Sequence, residues 1–194
     1  LELSADLIRK FAHAFEQRSF EDPLDEIWAM RCLDELLVSN QSRPNATEWS
    51  RIFSSVLDMI NGRRNKRMDS LFQKVSLNLL ASIISEGAIG VKDIENKINI
   101  VWKIIVTNWG QGIDWQERGS ASVSSSLQAA QARENNAGRP NQDSLQVDVA
   151  FTAFLVAVLN RVSLSDASVS VEGVTCSRLS LLNILLSKAV GRGQ

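Results

Sequence analysis

The segment NATEWSRIFSSVLDMING, residues 45–62, shows most directly how this chain folds. Asn45 and Glu48 stand at the positions of an N-terminal capping box, and Gly62 stands where a left-handed C-terminal cap is expected. Between these ends, large apolar residues recur at steps of three and four, the spacing that places side chains on one helix face: Trp49, Ile52, Phe53, Val56, Leu57 and Ile60. The segment therefore predicts one amphipathic helix with both ends marked.

The same period extends toward the N-terminus. A first helix is predicted at about residues 4–18. A second begins where Asp22 can serve as the N-cap and Pro23 as the first helical residue. One apolar stripe is expected to bury this second helix: Leu24, Ile27, Trp28, Leu33, Leu36 and Leu37. The first two helices are therefore predicted to form a helical hairpin with a short connection.

Periodic apolar segments also follow the central one. Gly87 and Gly90 separate the first two of them, and Val169-Ser170-Val171 alternates as a short strand does. Four further helices are predicted, at about residues 71–84, 91–109, 145–162 and 179–186. One weak helix at about residues 127–134 would bring the total from seven to eight.

Helices in pairs about 40 residues apart predict an all-α fold. This spacing is typical of a HEAT- or armadillo-like array of helical hairpins, and an irregular multi-helix bundle has the same pattern. Residues 1–194 are predicted to form a single helical domain. A polar insertion at about residues 116–144 interrupts it, and we expect this insertion to be flexible because Val123 and Leu127 are its only large aliphatic residues.

Composition excludes several classes of protein. The chain has 194 residues, of which 44% are hydrophobic and 22% charged, and its formal net charge is −1. So small a net charge produces no global field that would attract nucleic acid or an anionic membrane. The longest uncharged run of the C-terminal third, residues 149–160, is shorter than the about 20 apolar residues that cross a bilayer. We therefore expect no membrane partner.

The cysteines and the first residue bear on location and origin. With only Cys32 and Cys176 in the chain, we expect two buried thiols, no disulfide and an intracellular location, cytoplasmic or nuclear. Because the sequence opens at Leu1 and not at Met, we expect a domain excised from a larger protein or assembly.

The residue types that catalysis and metal binding need are scarce and scattered. The single histidine, His13, has no nucleophile motif beside it and no cysteine at metal-ligand spacing. Gly110 and Gly112 follow a helix and lack the lysine of a phosphate-binding loop. Asp114 and Glu117 form an acidic pair without any other catalytic residue nearby. We therefore predict no enzymatic activity and no catalytic, cofactor-binding or metal-binding residues.

Two features suggest an interface with a partner. Four cations within residues 63–67 follow the central helix, where the helix dipole stabilises them and where they also suit an acidic protein, a nucleic-acid backbone or a nuclear localisation signal. Two tryptophans bracket a glycine turn, and the second has polar neighbours and is expected to be an exposed anchor. The predicted partner-binding residues are Arg63, Arg64, Lys66, Arg67, Trp109 and Trp115.

These features favour a non-enzymatic protein–protein interaction scaffold. Another protein is the expected partner, as a peptide or helix in a groove between helices. The alternative is a nuclear or nucleic-acid-associated assembly factor that uses the basic segment 63–74. Because no aromatic residues that could stack on bases accompany the basic run, nucleic acid is the less favoured partner. The sequence leaves the identity of the partner and the oligomeric state open.

Overall fold

The computed structural model describes residues 2–39, 46–62, 70–109, 142–162, 168–171, 174–180 and 182–183. Helices occupy most of this part of the chain, so the predicted all-α class is confirmed. Residues 169–171, for which the sequence pattern was ambiguous, lie in the first strand of a two-stranded hairpin. The elements are α1 Glu2–Gln17, α2 Pro23–Ser39, α3 Ala46–Gly62, α4 Ser70–Ser85, α5 Val91–Asn96, α6 Ile98–Trp109, α7 Gln142–Arg161, β1 Ser168–Val171 and β2 Val174–Ser177.

The long helices pack in two rows. In one row α1 packs against α3 and α3 against α6, and in the other α2 packs against α4 and α4 against α7. Contacts between α1 and α2, and between α3 and α4, join the rows. The hairpin pairs antiparallel, with Val171 opposite Val174, and its first strand lies against α6. A HEAT or armadillo array, as distinct from an irregular bundle, stays a prediction.

An apolar core fills the space between the rows. The stripe predicted for α3 is confirmed, since all six of its residues are buried: Trp49, Ile52, Phe53, Val56, Leu57 and Ile60. Large aromatic side chains from four of the other helices are completely enclosed with it: Phe15, Phe72, Trp102 and Phe154. Burial of this apolar surface is the main favourable contribution to folding.

Gly87 ends α4, as the sequence predicts. Its φ is 66°, in the left-handed region that glycine enters without steric cost. The N–H of Gly87 donates to the carbonyl of Ile84 at 3.1 Å, and the N–H of Ala88 donates to that of Ile83 at 3.1 Å. These two bonds form a Schellman motif, which satisfies carbonyls that the end of the helix would otherwise leave unbonded.

The first helix ends in the same motif without a glycine. Arg18 has a φ of 49° and donates its N–H to the carbonyl of Phe15 at 3.3 Å, while the N–H of Ser19 reaches the carbonyl of Ala14 at 3.1 Å. A side chain in this conformation is strained because its Cβ approaches the backbone. Arginine is therefore poorly suited to the backbone conformation at position 18.

Replacing Arg18 by glycine is expected to raise the free energy of unfolding by about 0.5 to 1 kcal/mol. Relief of the left-handed strain outweighs the extra backbone entropy that glycine brings to the unfolded chain. Urea denaturation of the variant beside the unmodified protein measures the change. Arg9→Gly, at an exposed position inside α1, is the control and should lower stability by about 1 kcal/mol. Equal losses at both positions would contradict the expected strain.

The left-handed cap predicted at Gly62 is wrong, since Gly62 is the last residue of the helix α3 and its φ is not in the left-handed region.

Two further predicted helix boundaries are wrong. The single helix predicted at residues 91–109 is divided at Lys97, whose φ of −109° and ψ of 11° leave the helical region. Contacts with α3 hold the short helix α5 as a separate segment: Ser50 donates to Asp93 at 2.8 Å, and the ammonium group of Lys97 lies 3.4 Å from Asp58. The helix α7 begins before the predicted residue Leu145. The rest of the predicted insertion, residues 116–141, lies outside the described residues.

Candidate interaction surface

The helix α2 begins as its sequence predicts. The N–H of Leu24 donates to Oδ1 of Asp22 at 2.8 Å, so Asp22 is the N-cap and Pro23 the first helical residue. Asp25 follows in the first turn, where a negative charge stabilises the positive end of the helix dipole. Because α2 is a regular helix from Pro23 onward, each later side chain has a defined angle around the helix axis.

This helix carries apolar side chains on two opposite sides. The inner side is buried in the core, where α2 packs against α4 and α1, and comprises Ile27, Ala29, Met30, Leu33 and Leu37. On the outer side, Leu24, Trp28 and Val38 keep 53%, 59% and 65% of their surface exposed. An exposed tryptophan between two exposed aliphatic residues is unusual, because large apolar groups on a protein surface often mark a contact site.

Three predictions made for α2 are therefore wrong. Leu24 and Trp28 do not belong to the buried stripe with Leu33. Nine residues separate Leu24 from Leu33, which places them about half a turn apart at 100° per residue. Cys32 is exposed and not a buried thiol, since it lies between these two sides and nearer to the outer one. The side chain of Cys176 lies outside the described residues.

Two charged residues continue the outer side of α2. The guanidinium carbon of Arg31 lies 5.4 Å from the centroid of the Trp28 ring, within the range of a cation–π contact. Glu35 is exposed one turn further along. These residues together form what we call the outer seam: Leu24, Trp28, Arg31, Glu35 and Val38.

The spacing of the outer seam is that of a helix–helix contact. Its residues follow one another at steps of four, three, four and three, the alternation of a and d positions in a coiled coil. The sequence contains this spacing, but the single buried stripe predicted for α2 combined residues from both of its apolar sides. The two sides can be separated in the sequence by assigning each residue its angle around the helix axis.

The predicted partner-binding residues lie almost entirely outside the described part of the chain. Arg63, Arg64, Lys66, Arg67 and Trp115 are not among the described residues. Trp109 is the last residue of α6, but its side chain also lies outside them. Their role in binding stays a prediction.

The structure also describes several titratable side chains. His13 is exposed on α1. Asp34 and Glu35 differ in environment, since Oδ1 of Asp34 is buried without a hydrogen-bond partner among the described residues whereas Glu35 is exposed. Within the described ranges, no three His, Cys, Asp or Glu residues are grouped closely enough to hold a metal ion. None of the helices described is both long enough and apolar enough to span a bilayer.

Ion pairs connect the helices outside the outer seam. Arg51 on α3 holds both carboxylate oxygens of Glu16 on α1, with Nε 2.6 Å from Oε1 and Nη2 on Oε2. The hydrogen bonds from Arg51, more than its charge, lower the pKa of Glu16 below its ordinary value of 4.5. On α1 itself, the hydrogen bond and charge of Lys10 lower the pKa of Asp6.

The Glu16–Arg51 pair predicts how stability depends on pH. Because the folded state lowers the pKa of Glu16, the stabilisation is complete above the ordinary pKa and is lost as pH falls through the lowered one. The melting temperature is expected to fall between pH 5 and pH 3, and less steeply in Glu16→Gln. Thermal melts at about five pH values measure both slopes. Glu21→Gln, at an exposed position without a described ion pair, should keep the original slope. A slope unaffected by Glu16→Gln would contradict this origin.

A second ion pair between an arginine and a carboxylate connects the C-terminal part of the chain to α5. Arg178 follows β2 and is only 5% exposed. Its Nη1 and Nη2 lie 2.9 and 2.5 Å from the two carboxylate oxygens of Glu95. Residues 83 positions apart are thus joined by a bidentate charged pair. Neither residue was predicted to be functional or structural from the sequence, because nothing in the local sequence of either one indicates the contact.

Comparisons with known proteins add no relative. No family model matches the chain, and no curated protein and no solved structure is significantly similar to it.

Proposed function

We propose that this chain is a non-enzymatic protein–protein interaction domain. The observation that carries the proposal is the outer seam of α2, where Leu24, Trp28 and Val38 are each more than half exposed. Tryptophan and arginine, which adjoin each other in the outer seam, are both among the residue types that contribute most to binding energy at interfaces. A helix face with this composition and spacing suits a partner helix better than a small ligand, because it is convex and continuous.

Site-specific photo-crosslinking tests the proposal. Benzoyl-phenylalanine placed at position 28 should form discrete protein adducts on irradiation, in the purified protein or in a cell extract. The matched control carries the same group at Lys92, which is exposed on α5 outside the outer seam. We expect a yield at least about tenfold higher at position 28, because a bound partner holds its side chains against the group. Equal yields at the two positions would contradict the proposal.

The predicted set around the basic run belongs to the same proposal. Four cations within residues 63–67 favour an acidic partner segment, and Trp109 and Trp115 are the anchors proposed beside it. This set is a second predicted surface, whereas the proposal itself rests on the outer seam.

A nucleic-acid-associated role is the alternative that the four cations favour. If it holds, the protein shifts DNA or RNA in a gel, and added salt abolishes the shift because bound phosphates regain their counterions. Changing Arg63, Arg64, Lys66 and Arg67 together to alanine is then expected to remove the shift. The control is Lys92→Ala, which removes one cation elsewhere. A shift that survives the fourfold change would exclude the basic run as the binding site.

A further inference from the structure

We propose that the outer seam of α2 binds the outer seam of a second copy of this chain, antiparallel to it. The inference rests on the proposed function, since it takes the seam to be a protein-binding surface. The observation behind it is that the seam is complementary to itself when one copy is turned end to end.

The order of residues along the seam selects the antiparallel orientation. In a parallel pair, equivalent residues face each other, so Arg31 would lie opposite Arg31 and Glu35 opposite Glu35. Like charges held opposite each other in a contact are destabilising. In an antiparallel pair, a positions face d positions, and Arg31 then lies opposite Glu35 of the second copy.

That orientation also pairs two of the three apolar residues of the outer seam. With Arg31 opposite Glu35, the same two-fold axis places Trp28 opposite Val38 of the second copy, so each end of the contact is apolar. The four central layers are thus Trp–Val, Arg–Glu, Glu–Arg and Val–Trp. A two-fold contact of this kind closes on itself and produces a dimer, not a filament.

The surface geometry agrees with this pairing. The guanidinium carbon of Arg31 lies over the Trp28 ring, 5.4 Å from its centroid. A guanidinium that covers a ring still offers N–H groups at its edge, where a carboxylate can approach. The cation–π contact therefore holds Arg31 within the seam and leaves it able to bind Glu35 of the second copy.

The contact is short, which sets the expected affinity. One face of a 17-residue helix lies at the small end of specific interfaces, so we expect a dissociation constant of about 10 to 100 µM. Sedimentation velocity from about 1 µM to 1 mM covers the whole transition. A chain that remains monomeric throughout that range would overturn the inference.

Charge reversal provides the decisive experiment. Arg31→Glu places carboxylates opposite carboxylates, and Glu35→Arg places guanidinium groups opposite each other, so each variant alone should dimerise at least about tenfold more weakly. Mixing the two variants restores opposite charges in both central layers, and an equimolar mixture should form a heterodimer of the original strength. The recovery also shows that both variants are folded. Lys92→Glu, a reversal on α5, is the control and should leave dimerisation unchanged.

The outcomes separate this inference from the proposed function. A dimer that neither single reversal weakens, or a mixture that recovers nothing, would place self-association elsewhere and overturn the inference. If the chain is monomeric but position 28 crosslinks to another protein, the inference is overturned while the interaction function stands. If the chain is monomeric and position 28 crosslinks no better than position 92, both are overturned.

Discussion

Replacing Trp49 by alanine is expected to lower the free energy of unfolding by about 3 to 5 kcal/mol. The Trp49 side chain is 4% exposed, on the α3 stripe that belongs to the core. Its removal loses the transfer energy of a large aromatic group and leaves a cavity that neighbouring helices fill only in part. Chemical denaturation followed by circular dichroism measures the loss without depending on tryptophan fluorescence.

Trp28→Ala is the matched control, because the same atoms are removed from a surface position. Trp28 keeps 59% of its surface exposed, so we expect a change of under about 1 kcal/mol. The comparison belongs at a concentration well below that of dimerisation, since binding adds to apparent stability. If both variants lose stability equally, Trp28 is a core residue and the outer seam is not a surface.

Glu95→Ala is expected to lower the free energy of unfolding by about 3 kcal/mol. The change leaves Arg178, only 5% exposed, without the carboxylate that binds both of its terminal nitrogens. Removing one partner of a buried pair typically costs about 3 to 5 kcal/mol. The lower end applies because the Glu95 side chain is 34% exposed and water already screens it.

A double variant distinguishes this pair from ordinary packing. Combining Glu95→Ala with Arg178→Met removes the buried charge together with its partner, so the double variant should be more stable than Glu95→Ala alone. Denaturation midpoints of the two single variants, the double variant and the unmodified protein complete the cycle. If the losses in the free energy of unfolding are strictly additive, the Glu95–Arg178 ion pair contributes no coupling between α5 and the segment after β2.

The sequence and the structure indicate two different interaction surfaces. From the sequence, binding was predicted at the basic run and at Trp109 and Trp115, and both stay predictions. The outer seam adds a surface whose exposure is established by the fold of α2, α4 and α1. Variants of Trp28 and of the basic run test the two surfaces separately.

Local sequence patterns were sufficient wherever the physical cause is local. The α3 stripe, the Asp22 cap of α2 and the Gly87 end of α4 were all predicted and all are confirmed. Each depends on residues two to five positions apart, because helical hydrogen bonds and caps connect only near neighbours in the chain. The all-α class follows from the same short-range periodicity repeated along the sequence.

Contacts between distant residues decided the rest. Because α2 is apolar on two sides, its sequence permits burial of either, and packing against α4 and α1 buries the side with Leu33 and exposes the one with Trp28. The predicted fifth helix is divided at Lys97, where the chain contacts α3. The Glu95–Arg178 ion pair joins residues that are 83 positions apart. Helical periodicity determines which residues share a face, whereas only the competition among faces for the core determines which face meets water.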